Sequence, residues 1–146
     1  MRSETIGVIL ALCVNAASAQ VPTATEVVEA YVAAYNEQDV ESMLSLVTED
    51  VRWMTVDGVR IRLESVGKEA LGAGVAAYFT NLPSARSVLR SLDAAGDFVT
   101  AIEKATWVSD GETRSQCAVS VYQLRDELIM AVWYFSAQPC DDEPGA

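Results

Sequence analysis

The 146-residue sequence predicts an α+β domain in which helices cover one face of a strongly curved antiparallel sheet. Three observations predict it. Apolar residues recur with a helical period through the first half, interrupted by a single hairpin signal. Beyond Pro83 the period falls to nearly two. The segments after that proline are joined by very short connections, which force neighbouring strands to run antiparallel.

Each element follows from local chemistry. Thr23-Ala24-Thr25-Glu26 is a capping-box pattern opening a first helix, with Val28, Tyr31 and Tyr35 along one stripe. Asp39 is an N-cap for a second helix, in which Val40, Met43, Leu44 and Val47 fall at helical spacing. Residues 51–56 then read as a strand, Asp57-Gly58 as a hairpin turn and residues 59–63 as the returning strand. Residues 67–78 resume helical spacing, with Leu71, Val75, Tyr78 and Phe79 on one face. Gly72 and Gly74 inside that helix each cost about 1 kcal/mol relative to alanine, so close packing or mobility is implied there. Four strands follow, near 86–93, 97–108, 113–124 and 128–137, and form a meander.

The composition bounds the chemistry. Half the residues are hydrophobic (51%), enough for a packed core. The formal net charge of -11 argues against nucleic acid or an anionic membrane surface as partner, since both require a basic face. There is no histidine, which excludes Ser-His and Cys-His nucleophile pairs and every imidazole metal site; no metal and no cofactor are expected.

Residues 1–19 read as a secretory signal peptide. A short apolar run, Ile6 to Val14, ends in Ala17-Ser18-Ala19, a small-x-small cleavage pattern before Gln20. The run is too short to span a bilayer, for which about 20 apolar residues are needed, so no stable membrane insertion is expected. The domain is then 20–140, followed by a polar tail at 141–146, and the protein is expected to be secreted or periplasmic. An oxidising compartment permits a disulfide between the two remaining cysteines, Cys117 and Cys140. With the last hairpin turning around Asp126 and Leu124 opposite Leu128, Cys117 faces position 135 and Cys140 lies five residues beyond. The pair is then reachable only if the chain folds back at Pro139; two unpaired thiols are the alternative.

The ordered set of motifs resembles the NTF2-like superfamily, within it the SnoaL-like proteins and ketosteroid isomerases. Its carriers are Tyr35-Asn36-Glu37-Gln38-Asp39-Val40-Glu41-Ser42-Met43, then Thr48-Glu49-Asp50-Val51-Arg52-Trp53, then Val66-Gly67-Lys68-Glu69-Ala70-Leu71. The resemblance covers about residues 24–138. It implies a cone-shaped sheet, a hairpin plus a meander, covered by three helices and enclosing an apolar pocket, with a homodimer formed through the outer sheet face. Set against the ketosteroid isomerase pattern, the catalytic tyrosine falls on Tyr31, but the general-base aspartate falls on Thr55 and the protonated acid on Ser120. A threonine hydroxyl cannot remove a proton beside a carbonyl near neutral pH, so steroid isomerisation is not expected. The usual histidine of SnoaL-like cyclases is absent too.

Two carboxylates could replace the lost base. Asp57 shares a strand face with Thr55 but also sits where a hairpin turn favours aspartate. With Arg60 and Arg62 it faintly resembles the Asp-Arg-Asp arrangement of epoxide hydrolases of this fold. Glu103 lies in an alternating strand, either as a pocket base or on a solvated edge beside Lys104. For ligand contact, strand parity groups Trp53 with Thr55, Ser120 with Tyr122, and Trp133 with Phe135, while Tyr31, Tyr35 and Phe79 approach from the helices. Two functions stay open. One is a binder of a small apolar molecule without the usual catalytic residues. The other is an isomerase, lyase or epoxide-hydrolase-type enzyme using Tyr31 with Asp57 or Glu103.

Overall fold

The computed structural model describes residues 21–140; the signal segment and the polar tail read from the sequence lie outside the described residues. The chain folds as α1 (Ala24–Glu37), α2 (Val40–Ser45), β1 (Val47–Asp57), β2 (Arg60–Val66), α3 (Lys68–Asn81), β3 (Arg86–Ala95), β4 (Phe98–Ser109), β5 (Glu112–Arg125) and β6 (Leu128–Phe135). The six strands form one curved sheet in the order β2-β1-β6-β5-β4-β3. The fold is α+β, as the alternating periods require. No helix among the described residues is long and apolar enough to cross a membrane.

The first two helices start where the local chemistry dictates. The Thr23 side chain accepts from Glu26 N–H while the Glu26 carboxylate accepts from Thr23 N–H, completing the capping box of α1. The Asp39 carboxylate accepts from the Ser42 N–H and hydroxyl to cap α2. That helix is only 6 residues long, and Val47, whose spacing continues it, instead begins β1. Along β1 to β6 the inward residues build the core: Val28 and Tyr31 of α1 pack on Val47, Val51, Val99, Tyr122, Ile129 and Val132.

The sheet is not wholly antiparallel. β1 runs parallel to β6, with Met54 beside Trp133 and Thr55 beside Tyr134. Short loops dictate the direction of β1 against β2 and of β3 through β6. β1 and β6 are joined by no loop, so nothing local sets their sense. The turns are tighter than the sequence suggests: β5 and β6 meet at Arg125 and Leu128 across a two-residue turn, Asp126-Glu127, both with positive φ and neither a glycine. β-bulges bend the strands. One puts Glu64 of β2 out of register between Trp53 and Met54 of β1, and another does the same to Met130 of β6 between Gln123 and Leu124 of β5.

That second bulge corrects the register expected near the cysteines. The tight turn, the bulge and a further slip past Tyr134 bring Gln138, not position 135, opposite Cys117, with backbone hydrogen bonds of 2.9 and 2.8 Å. Cys140 follows two residues later. It forms a disulfide with Cys117, at a Cα–Cα distance of 4.9 Å, and the chain does not need to fold back at Pro139 to reach it.

Candidate functional site

β4 carries the central group. Its burial alternates, with Val99 and Ala101 facing the core and Thr100 and Ile102 facing out, so the next inward position belongs to Glu103. Glu103 is only 5% exposed. Four hydroxyls converge on it from three other strands. Ser120 (2.5 Å) and Tyr122 (2.6 Å) of β5 donate to Oε1, and Ser87 of β3 (3.1 Å) and Tyr134 of β6 (2.7 Å) donate to Oε2. Each carboxylate oxygen thus accepts two hydrogen bonds, which fills its lone-pair sites. Among the described residues no Lys or Arg forms an ion pair with it.

In front of this cluster lies a cavity of about 570 Å³ between the sheet and the helices. Its aromatic side is built by Tyr31 of α1, Trp53 of β1 and Tyr134. Trp53 and Tyr134 are stacked, with centroids 5.1 Å apart and planes at 20°, while Tyr31 lies 6.2 Å from Trp53 and 6.5 Å from Tyr122. The Tyr31 side chain is buried, yet its hydroxyl has no hydrogen-bond partner, although it lines a cavity that Glu103 also lines. Burial first, and the charge of Glu103 second, hold the Tyr31 and Tyr122 phenols well above their ordinary pKa; for Tyr134 the field of Tyr122 adds to both. These phenols remain protonated throughout the physiological range and act as neutral hydrogen-bonding groups.

α3 forms the opposite wall and explains its two glycines separately. A Cβ at Gly72 would lie 2.9 Å from Leu44 Cδ1, so this glycine lets α3 pack closely on α2. Gly74 lines the cavity, and a Cβ there would meet nothing within 4 Å, so the missing side chain leaves space for the cavity. At the mouth, Thr55 donates to Glu64 at 2.6 Å, and Glu64 is ion-paired to Arg62.

The structure brings together Tyr31, Tyr35, Trp53, Thr55, Glu103 and Tyr122 around this cavity, with Ser120 directly behind the carboxylate. The solvated-edge alternative for Glu103 is thereby removed. Phe79 instead belongs to the core, packed on Tyr35 at 5.2 Å, outside the lining. Asp57 is exposed at the end of β1, where Ser136 approaches it at 3.4 Å, and does not reach the cavity. Trp133 and Phe135 are on the wrong face. The bulge at Met130 reverses the alternation of β6, so Val132 and Tyr134 point inward while Phe135 is 42% exposed on the outer surface. The same reversal hid Tyr134 from the sequence. Ser87 and Glu64 were missed because no spacing connects them to the other groups; only the strand pairing does.

A six-stranded curved sheet, three helices and an interior cavity define the NTF2-like class of α+β domains. Residues 28–132 match the model of the SnoaL-like domain, and the chain belongs to that family. No curated protein sequence matches it. Among solved structures it is similar to an uncharacterised cystatin-fold protein from Novosphingobium aromaticivorans, with 25% identity, a TM-score of 0.68, and coverage of 77% of this chain and 97% of that one. A hypothetical protein with a ketosteroid isomerase-like fold from Catenulispora acidiphila, solved in complex with trimethylamine, is 19% identical with a TM-score of 0.67 over 78% of this chain and 87% of that one. An NTF2-like protein from Burkholderia pseudomallei is 14% identical, with a TM-score of 0.65 over 76% and 88%. At these last two identities the likeness is one of fold.

Proposed function

We propose that the protein is an exported SnoaL-like domain that binds a small, mainly apolar molecule in the cavity beneath α3, without catalysing its conversion. The observation that carries this reading is a cavity of about 570 Å³, inside the ~300–1,000 Å³ range of small-molecule sites, lined in part by Tyr31, a buried phenol whose hydroxyl has no partner. Aromatic and aliphatic walls supply the apolar contact, and Tyr31 supplies the polar atom that fixes orientation. The enzyme reading keeps one supporting observation, that Tyr31 and Glu103 share the cavity. Against it, every lone-pair site of Glu103 is already occupied by a hydroxyl, so the carboxylate must lose a partner before it can accept a proton from a substrate.

Tyr31→Phe separates binding from folding. Because the hydroxyl has no partner, its removal leaves the melting temperature unchanged or slightly raised. The ligand-induced rise in that temperature, screened over a set of small aromatic and alicyclic compounds, shrinks as affinity falls up to about tenfold. A melting temperature that rises with no compound in the set overturns the reading.

Export and self-association belong to the same proposal. Ile102 of β4 is paired with Val119 of β5, and Phe135 lies on the neighbouring strand of the same outer face; all three are more than 40% exposed, a row suited to a second copy of the chain. Protein recovered from the secreted or periplasmic fraction should begin at Gln20 by intact mass and sediment as a dimer. An uncleaved monomer there contradicts both points.

A further inference from the structure

Every charged side chain lining the cavity is acidic. Glu103 stands at its inner end and Glu64 at its mouth, and the lining contains neither lysine nor arginine. Arg62 offsets Glu64 outside, where both are accessible to water. Glu103 has no such counterion among the described residues, only hydroxyl dipoles. A buried carboxylate so placed repels an anion entering the cavity and attracts a cation. Next to it stand the rings of Tyr31, Trp53 and Tyr134, side chains of the kind that hold organic cations, with Trp53 and Tyr134 stacked on each other.

The hydrogen-bond inventory narrows the cation further. A primary ammonium must place three N–H groups, but both oxygens of Glu103 already accept two hydroxyls each. An alkylated ammonium needs few or no acceptors, and its methyl groups pack directly on the rings. The unpartnered Tyr31 hydroxyl is free to accept a single N–H or to donate to an oxygen elsewhere on the ligand. We infer that the cavity selects small molecules bearing a tertiary or quaternary ammonium group, seated against the aromatic wall of Tyr31, Trp53 and Tyr134 in front of Glu103. This inference rests on the reading of the cavity as a small-molecule site.

Three probes of one shape and different charge test it: choline, its neutral carbon isostere 3,3-dimethylbutan-1-ol, and the anion 3,3-dimethylbutanoate, titrated at millimolar concentration by ligand-observed NMR. Choline should bind about tenfold more tightly than the alcohol, with no binding of the anion. In Glu103→Gln, choline and the alcohol should bind almost equally. If that variant fails to fold, Trp53→Leu must weaken choline by a larger factor than the alcohol. Equal or tighter binding of the alcohol or the anion by the wild-type protein overturns the ammonium inference. So does failure of all three probes when apolar compounds still raise the melting temperature, and the cavity reading then survives. Failure of both sets removes both.

Discussion

Glu103→Ala lowers the unfolding free energy by about 3–5 kcal/mol, because each buried hydroxyl left without an acceptor costs about 1–3 kcal/mol. The mechanism is the orphaning of four donors at once. Ser120 and Tyr122 are fully buried and Ser87 nearly so, and none of these hydroxyls has a carboxylate substitute within the sheet. Without the carboxylate, either Tyr122 or Tyr134 can turn its hydroxyl proton to the other oxygen, 3.1 Å away, which limits the loss. Glu103→Gln should cost clearly less, because the amide still accepts at its oxygen and two hydroxyls can turn to accept from its nitrogen. Urea denaturation of the three proteins checks the order. A loss below about 1 kcal/mol for alanine, the level of one ordinary hydrogen bond, would show that the four-hydroxyl network does not stabilise the domain.

The second large effect is expected from the cysteines. Replacing Cys117 and Cys140 together by serine should remove about 3 kcal/mol, since the crosslink closes a segment spanning a sequence separation of 23. Most of that segment is β5, the last turn and β6, so the bond restrains in the unfolded chain the same hairpin that carries Tyr122 and Tyr134. A reducing agent applied to the wild-type protein should have the same effect as the double substitution. Equal stability in oxidised and reduced protein would mean that the thiols are not bonded in solution.

Local chemistry made much of the fold legible. The capping box at Thr23, the cap at Asp39 and the alternation of β4 each act over a few residues, and each has its expected result in the structure. The parallel meeting of β1 and β6 did not show in the sequence, because it joins segments with no common turn. Phase errors came from bulges. One extra residue, Met130, left the composition of β6 unchanged but exchanged its faces, giving Tyr134 to the site and taking Trp133 and Phe135 away. Tyr31 and Trp53 were legible through parity and resemblance together. Glu103 was visible as a candidate, but its burial depends on Ser87, Ser120, Tyr122 and Tyr134 arriving from three separate strands, and no window along the chain contains that information.

The parallel pairing of β1 with β6 also bears on when the protein can fold. The first strand has no permanent neighbour on one side until the last strand exists, and such distant pairings slow folding. A growing chain can form α1, α2 and the β1–β2 hairpin early, but these pieces remain unjoined to the rest of the sheet while β6 is still inside the ribosome. The contact order of the domain therefore defers its commitment to the native state until β6 has left the ribosome.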